Sequence, residues 1–385
     1  MSLFLFGKGK EKMKVNIERF AIEKALHELS GILKNQSVSL PILERILIEA
    51  SGQTVTLTAT DLCTASRISI EADVLVEGST LPPGKKFINI IDVLKDYKTI
   101  SIETVKNKVV IASEGKASFK LPDASSDDYP DVKLPDSISF TEVKSDDLLS
   151  IIDGVTYVVT KKSYNPAFEA ICLEGLKSEM RCIATDGQRL AITRSAMEGD
   201  LDISDKGIII PATAAKEIAR LLKHHRDCET VDIGFSHDTM VVRNISSSGT
   251  TVLTIKLVDV IFPNYKKIIP RDSCISFTAD KEALIGSLRR ARIVVKDDPN
   301  HPVLLTGEGD KLALQSKNQN GFMSDEIALD SDTTEPFCFS INANYLLDAV
   351  NTISAEDVCV SYKPERLVAV NGDGGSLNIV TVLRN

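Results

Sequence analysis

The sequence repeats one order of predicted elements three times, and this internal similarity limits the possible fold more than any other feature. Each third opens with a short alternating run that predicts a β-strand, followed by apolar residues at helical spacing. The second and third copies share the string Ile-Ser-Phe-Thr, at residues 138–141 and 275–278. A second predicted helix follows in each third. The predicted helices are residues 18–34, 86–97, 144–159, 211–225, 280–296 and 342–353.

Polar, turn-rich stretches near Pro135 and Pro270 separate the three copies. A chain of 385 residues is long for one hydrophobic core, so we expect three domains, at residues 13–135, 136–270 and 271–385. Alternating runs with two helices per copy predict an α+β fold of antiparallel sheets. No glycine-rich loop joins a strand to a helix, which disfavours a doubly wound nucleotide-binding sheet. Residues 1–12 lie outside the repeat as an extension.

Charge is distributed unevenly along the chain. The net charge is −9, but the helical stretches counted with their flanking basic residues (18–34, 85–98, 144–162, 211–226, 280–296 and 342–353) together carry +7 and the rest of the chain −16. A solvated helix face is the ordinary explanation of one basic helix, whereas this asymmetry favours one basic surface that meets phosphate. Aromatic residues do not alternate with the basic ones, and no groove-reading motif is present. Contact with nucleic acid would therefore be independent of base sequence.

No group of residues has the pattern of a catalytic or metal site. The five histidines are dispersed, and His224-His225 is expected to satisfy the carbonyls at a helix end. The seven cysteines never form Cys-x-x-Cys, so we expect reduced, buried side chains and no zinc site. Glycines at 372–375 and in Asp186-Gly187 predict turns. With no signal peptide and no apolar run long enough for a bilayer, the sequence predicts a cytoplasmic protein without cofactor.

Several strings resemble, in the same order, those of the beta sliding clamp family, the beta subunit of bacterial DNA polymerase III. They are Met13-Lys14, the Leu-Pro-Ile-Leu of 40–43, the Ala-Thr-Asp-Gly-Gln-Arg-Leu-Ala of 184–191, and the Lys-Leu-Val-Asp of 256–259 followed by the Phe-Pro-Asn-Tyr of 262–265. The resemblance covers residues 13–385. It implies a DNA clamp fold, no catalytic activity, and a head-to-tail homodimer ring that encircles double-stranded DNA and gives the replicative polymerase processivity. Twelve helices about 8–10 Å apart would enclose a hole roughly 35 Å wide.

The resemblance also implies a pocket for the DNA polymerase III alpha subunit, the clamp loader and other proteins with a clamp-binding motif. Its residues would be Phe168, Thr185, Gly187, Gln188, Arg189, Leu190, Pro263, Lys267, Ile268, Asn342, Tyr345, Ile379, Thr381, Val382, Leu383 and Arg384. Such peptides bind as extended segments with apolar anchors. The sequence departs from the family at Gln188 (usually histidine), at Lys267 (usually arginine) and at the ending 381–385.

Two further sets of residues are expected to make contacts. The candidates to face DNA follow from the positive charge concentrated in the helices, and the contacts between subunits follow from the resemblance. The candidates to face DNA are Lys34, Lys162, Arg220, Lys223, Arg289, Arg290 and Lys296. An arginine that the family often directs at DNA is absent from Asn35-Gln36-Ser37. The expected dimer contacts are Phe119 and Leu121 on one subunit with Ile293 and Val294 on the other.

Two other classes of protein stay open on the residues alone. An enzyme could assemble its site from several repeats, which a cluster of acid–base groups with perturbed pKa values in a deep pocket would reveal. A repeat scaffold that binds only proteins would lack a continuous basic face.

Overall fold

A computed structural model of the chain describes residues 13–34, 40–113, 117–132, 134, 138–161, 163–198, 201, 203, 206–247, 249–270, 275–330, 333, 335–364, 366–372 and 375–384. The extension 1–12, Asn35-Gln36-Ser37, Pro135, Lys162, and Asp373 and Gly374 of the predicted glycine turn lie outside the described residues, as does the side chain of Lys34.

The six predicted helices are confirmed within the described residues, with small shifts at their ends. Asp280 and Asn342, predicted as first helical residues, instead cap the helices that follow them through their side-chain carbonyl oxygens. Pro211, also predicted as helical, ends a strand. The helices are α1 (Arg19–Lys34), α2 (Gly84–Val93), α3 (Ser145–Thr156), α4 (Ala212–His224), α5 (Lys281–Val294) and α6 (Ala343–Asn351).

Strands make up most of the remaining described chain. In the first half they are β1 (Lys14–Glu18), β2 (Leu47–Ser51), β3 (Thr54–Thr60), β4 (Thr64–Glu71), β5 (Asp73–Val76), β6 (Gly78–Thr80), β7 (Thr99–Val105), β8 (Lys108–Ser113), β9 (Ala117–Pro122), β10 (Phe140–Lys144), β11 (Ala170–Leu176), β12 (Glu179–Thr185) and β13 (Arg189–Ala196). In the second half they are β14 (Ile208–Pro211), β15 (Thr230–Phe235), β16 (Thr239–Ser246), β17 (Gly249–Lys256), β18 (Ile275–Asp280), β19 (Pro302–Glu308), β20 (Lys311–Asn318), β21 (Gly321–Ala328), β22 (Phe337–Asn342), β23 (Asp357–Lys363), β24 (Leu367–Asn371) and β25 (Leu377–Leu383).

The described residues group into two compact units. The first comprises residues within Met1–Asp146 and Lys216–Leu257, and the second those within Asp147–Ala215 and Val258–Asn385. The first unit holds a five-stranded sheet, β5-β1-β7-β8-β9, and an eight-stranded sheet, β10-β15-β16-β17-β4-β3-β2-β6. The second holds one twelve-stranded sheet with the path β14-β11-β12-β13-β25-β22-β19-β20-β21, from which β24, β23 and β18 branch at β25.

All pairings between named strands of the described chain are antiparallel, as the alternating sequence pattern predicted. The threefold order is confirmed as well, since β1-α1, β10-α3 and β18-α5 open the repeats, and β6-α2, β14-α4 and β22-α6 stand within them. Alternate residues of the strands are buried, as in the pattern of β7, because successive side chains point to opposite faces. Helix α1 packs against β3 and β4, and helix α5 against β20 and β21.

Two sheets continue across the predicted domain boundaries. In the first unit β17 pairs with β4, with Leu253 opposite Ser66. In the second unit β13 pairs with β25, with Leu190 opposite Ile379. Backbone hydrogen bonding between successive repeats therefore joins them into shared sheets, which sequence periodicity alone did not reveal.

Two features of composition have structural counterparts. The six cysteines within the described ranges are free, and among them Cys172 and Cys182 are buried. No helix that the structure describes is both long and apolar enough to cross a membrane.

Candidate functional site: the predicted partner pocket

The loop between β12 and β13 is fixed by its own hydrogen bonds. Oδ1 of Asp186 accepts hydrogen bonds from the backbone N–H groups of Gln188 and Arg189, at 2.9 and 2.8 Å. The buried hydroxyl of Thr185 donates to the carbonyl of Arg189 at 2.8 Å. Gly187 has φ +88°, which glycine adopts without strain, so the predicted turn is confirmed. The loop is therefore a preformed edge of the site.

Phe168 lies directly beside this loop. It is half-buried on the single 3-10 turn Pro166–Glu169, which Asn165 caps through a hydrogen bond from the backbone N–H of Ala167. A Cβ added at Gly187 would come within 3.3 Å of the Phe168 ring. Glycine at 187 thus permits both the turn and the close approach of the aromatic ring.

The guanidinium of Arg189 joins the loop to α6. Its Nε lies 2.9 Å from Asp186 Oδ2 and its Nη1 lies 2.8 Å from Asp348 Oδ2. Its carbon Cζ is 4.3 Å from the centre of the Tyr345 ring and 5.4 Å from that of Tyr157. Only 12% of its side chain is exposed. Arg189 therefore organises the wall of the pocket and has little freedom to bind a ligand itself.

A chain of hydrogen bonds through Tyr157 and Asn378 lies beside Arg189. The phenol of Tyr157 donates to Asn378 Oδ1 at 2.7 Å, and Asn378 Nδ2 donates to the hydroxyl of Thr352 at 3.0 Å. Burial raises the pKa of Tyr157, so it stays a neutral donor. Tyr157, Asp348 and Asn378 escaped the sequence analysis, because only the fold brings these distant residues together.

The predicted apolar residues divide into a floor and a rim. Leu190 and Ile379 are each only 2% exposed and belong to one buried cluster with Cys172, Ile183, Ile192, Tyr265, Leu367 and Ala369. Ile268 is 44% exposed, while Pro263, Val382 and Leu383 are half-buried. The rim residues are therefore the accessible ones, and the floor residues lie buried in the sheet beneath.

The Phe-Pro-Asn-Tyr string is held by its tyrosine. The Tyr265 hydroxyl donates to Glu174 Oε2 on β11 at 2.8 Å, and burial raises the pKa of Tyr265 to about 12. The 3-10 turn Tyr265–Lys267 follows, with Lys267 exposed. An open depression of about 730 Å³ lies along this segment, lined by Asn264, Lys266, Lys267, Ile268, Ile269, Pro270, Lys363, Arg366 and Leu367. It includes Lys267 and Ile268 of the predicted pocket.

The end of the chain is part of the sheet. The backbone N–H of Thr381 donates to the Gln188 carbonyl at 3.0 Å, and that of Val382 to the Arg366 carbonyl at 3.3 Å. The side chains of Gln188, Thr381 and Arg384 are exposed. Of the departures from the family pattern, Thr381 is exposed on β25, Gln188 in the loop before β13 and Lys267 on a 3-10 turn.

Asn342, one of the predicted pocket residues, is buried and caps α6. It is 5% exposed, and its Oδ1 accepts hydrogen bonds from the backbone N–H groups of Asn344 and Tyr345, at 2.9 and 3.2 Å. As the cap of α6 it fixes Tyr345 against Arg189. Its contribution to the pocket is to position other groups.

Among the candidates to face DNA, Arg220 and Arg290 have carboxylate partners. Arg220 is ion-paired with Glu217 at 3.3 Å and donates to the carbonyl of Glu28. Arg290 donates through Nε to Asp325 at 2.8 Å. Lys223, Arg289 and Lys296 are exposed.

The expected dimer contacts lie next to two sheet edges. Phe119 and Leu121 are on β9, the last strand of the five-stranded sheet, with Leu121 8% exposed. Ile293, at the end of α5, is 75% exposed. The neighbouring edge strand β21 presents Phe322, which is 60% exposed and which the sequence analysis missed. The amide of Asn318 donates to the carbonyl of Val294 at 2.6 Å and fixes this helix end.

The helix-end interpretation of the two histidines is wrong for His225. Its Nε2 lies 3.0 Å from Glu28 Oε2, with both side chains 5% exposed. His224 lies at the surface. Its ring is still partly buried, and this partial burial lowers its pKa.

Known proteins of one family are similar to this chain over nearly its whole length. It matches the sequence profiles of the DNA polymerase III beta subunit for the N-terminal domain at residues 13–134, the central domain at 142–264 and the C-terminal domain at 266–371. It is 29% identical to the beta sliding clamp of Caulobacter vibrioides (strain NA1000 / CB15N) over 349 residues, 89% of this chain and 91% of that protein. It is 26% identical to the beta sliding clamp of Vibrio cholerae, with 91% of this chain and 93% of that protein covered.

Solved structures define the class as a three-domain clamp. The DNA polymerase sliding clamp from Caulobacter crescentus superposes with a TM-score of 0.87 at 28% identity, covering 97% of this chain and all of that one. The DNA polymerase III subunit beta from Pseudomonas aeruginosa, at 23% identity, shares the fold with a TM-score of 0.88. The chain belongs to the family of bacterial DNA polymerase III beta subunits, the beta sliding clamps. Its function is that of a processivity clamp in DNA replication, and it is not an enzyme.

Proposed function

We propose that two copies of this chain close head to tail into a ring around duplex DNA in the cytoplasm. The ring would tether the DNA polymerase III alpha subunit, the clamp loader and other proteins that carry a clamp-binding motif. The observation that carries the proposal is the succession of three family matches along the chain, at residues 13–134, 142–264 and 266–371. The domains would be residues 13–135, 136–270 and 271–385.

Capture of an extended peptide is supported by the arrangement of floor and rim. Leu190 and Ile379 form a rigid buried base, and the half-buried Phe168 and Leu383 with the exposed Ile268 offer apolar contacts above it. Preformed apolar cavities with a few orienting polar groups favour binding because little ordering entropy is lost. Lys267 keeps a positive charge in the rim without the planar fork of an arginine. We therefore expect clamp-binding peptides to bind with preferences that differ from the commonest family members.

Contact with DNA rests on exposed positive charge of the helices. Lys223 on α4, Arg289 on α5 and Lys296 just after α5 present such charge in this chain. Arg220 and Arg290 are already paired with carboxylates, so they would contribute less. Binding through phosphates alone is weak, indifferent to sequence and steeply salt-dependent, because it is driven by release of counterions.

Ring closure would use the two unpaired sheet edges. An edge strand presents unsatisfied N–H and C=O groups to a second chain, and β9 and β21 are both edge strands. The exposed Phe322 lies on β21, the exposed Ile293 lies on the neighbouring α5, and Phe119 lies on β9. A head-to-tail contact gives a closed ring only if its rotation closes after a whole number of subunits.

Retention on circular DNA tests the whole proposal. The clamp is loaded onto a nicked circle by a clamp loader, and the complex is separated from free protein by gel filtration at high salt. The ring should stay on the circle and leave it once a restriction enzyme linearises the DNA. Equal loss from circular and linear DNA would contradict topological linkage, and a monomeric mass by light scattering at micromolar concentration would contradict the dimer.

A further inference from the structure

The turn that follows α4 carries three metal-ligating side chains outside the predicted pocket. A ring nitrogen of His225, a carboxylate oxygen of Asp227 and Sγ of Cys228 all lie within 4.8 Å of one another. The turn itself is closed by a hydrogen bond of 3.0 Å from the N–H of Cys228 to the carbonyl of His225. We propose that this group, the turn cluster, binds Zn²⁺ or a similarly thiophilic divalent cation.

The state of His225 supports the site. The residue is 4% exposed, and its Nε2 lies 3.0 Å from Glu28 Oε2 on α1. Its other nitrogen, Nδ1, is buried and has no hydrogen-bond partner among the described residues. A buried polar atom without a partner is costly, and ligation to a metal would satisfy it. Carboxylate, imidazole and metal in a row is the usual arrangement behind histidine ligands, because the carboxylate fixes the ring.

A second buried polar group without a partner lies on the thiol side of the turn cluster. Asn244 is 1% exposed, and its Nδ2 lacks a partner within the part of the chain that the structure describes. Its Oδ1 is 3.6 Å from Cys228 Sγ. Because the two ends of an amide are assigned only from their hydrogen bonds, the amide can be rotated so that Nδ2 points to sulfur. Nδ2 would then donate to a metal-bound thiolate, in place of the present contact from the thiol to Oδ1.

The donor set selects the kind of cation. A thiolate, an imidazole and a carboxylate suit zinc, whereas magnesium and calcium require oxygen ligands. Donor atoms of a tetrahedral zinc site lie roughly 3.3–3.8 Å apart. Since the three donor atoms lie within 4.8 Å of one another, the cluster would contract by at most about 1.5 Å. A water molecule would complete the fourth position.

Local charge also bears on the site. The C-terminal end of a helix favours a cation, and α4 ends at His224. Asp227, the thiolate and Glu28 contribute negative charge, which opposes that of the exposed Lys223 and Arg226. Since Glu28 belongs to α1, a bound cation would link α1 to the end of α4 through His225.

Metal titration of the untagged full-length protein, freed of metal with a chelator, tests the site. We expect one Zn²⁺ or Co²⁺ per chain with micromolar or tighter affinity. Co²⁺ should give a thiolate-to-cobalt charge-transfer band. Cys228→Ser should abolish that band and weaken binding at least about tenfold. Cys63→Ser, which changes an exposed cysteine of the same unit, is the matched control and should leave both unchanged.

Glu28→Gln separates the supporting carboxylate from the ligands. The substitution keeps the volume of the side chain, and removal of such a carboxylate costs roughly 10–100-fold in metal affinity. Circular dichroism establishes that each variant is folded. The absence of stoichiometric binding of either metal, or a charge-transfer band that persists in Cys228→Ser, would overturn the proposal.

Discussion

Arg189 on β13 is ion-paired with Asp348 on α6, with Nη1 and Oδ2 2.8 Å apart. The same guanidinium stacks on Tyr345 and bonds Asp186, so one side chain sets the distance between the loop and the helix on either side of the predicted pocket. The pocket is therefore rigid at this wall, and its partners are expected to adapt to it rather than the reverse.

Arg189→Lys should loosen this wall. Lysine cannot bond Asp186 and Asp348 together while it stacks on Tyr345, so we expect a loss of stability of about 1–3 kcal/mol. The affinity for a polymerase-derived peptide should fall roughly tenfold. Fluorescence titration of the peptide and chemical denaturation measure the two effects. Arg243→Lys is a matched control, since Arg243 pairs with Asp232 at 2.8 Å and lies 4.1 Å from the centre of the Phe140 ring. It should lose stability and keep peptide binding.

Ile268→Asp should weaken peptide capture without harming the fold. Ile268 is 44% exposed at the rim, so we expect a change in stability within about 0.5 kcal/mol and a loss of affinity of at least tenfold. Ile261→Asp changes a side chain that is 94% exposed in the same segment and should have no effect on affinity. Leu190→Asp is unsuitable, because Leu190 is 2% exposed and a charge there would disrupt the cluster beneath the pocket. Equal peptide affinity of Ile268→Asp and the unaltered protein would place the docking site elsewhere.

Phe322→Asp and Ile293→Asp should each convert the expected dimer into a monomer. Both side chains are exposed in the single chain, at 60% and 75%, so the substitution leaves the subunit itself intact. In the dimer the new carboxylate would be buried without a partner, which costs several kcal/mol. Light scattering over a concentration series measures the mass. Ile245→Asp, at a side chain 64% exposed in the other unit, should remain dimeric.

Arg289→Ala should lower the affinity for DNA and make that affinity less dependent on salt. Loss of one phosphate contact lowers the slope of log affinity against log salt by about 1. Asp325→Asn should act in the opposite sense, because Arg290 then loses its carboxylate partner and becomes available to phosphate. Anisotropy of a labelled duplex at several salt concentrations gives both slopes. Lys311→Ala, at a lysine paired with Glu326 on a strand, is the control; a slope changed equally there would argue against the helices as the contact surface.

Tyr129→Phe should flatten the alkaline limb of the stability profile. Tyr129 is 7% exposed, and its hydroxyl donates to the carbonyl of Arg45 at 3.3 Å, with the carbonyl of Thr58 3.5 Å away. Burial raises the pKa of Tyr129 to about 12. A pKa that is higher in the folded than in the unfolded chain stabilises below pH 10, and this stabilisation is lost as the pH rises from about 10 to 12. The difference amounts to about 3 kcal/mol at most. Urea unfolding at pH 7, 10 and 11 should show the unaltered protein losing more stability than the variant; parallel profiles would contradict the assignment.

The sequence by itself determined the repeated order of strands and helices. Spacing of apolar residues depends on the local backbone, so the helices and the antiparallel pairing followed from periods of 3.6 and 2. The helix ends were predicted less accurately. Asp280 and Asn342 lie just before their helices, where their side chains accept the hydrogen bonds of backbone N–H groups that have no carbonyl partner within the helix. The turn at Gly187 and the family strings were equally local features.

Tertiary structure alone decided which residues meet. The pairing of Leu190 with Ile379, the bond between Tyr157 and Asn378, and the contact of His225 with Glu28 join positions far apart in the chain. No period or motif encodes these contacts, since they arise when sheets and helices pack and their buried polar groups need partners. For the same reason the family resemblance could propose Leu190 and Ile268 for one pocket, but only the fold showed that Leu190 is buried and Ile268 exposed.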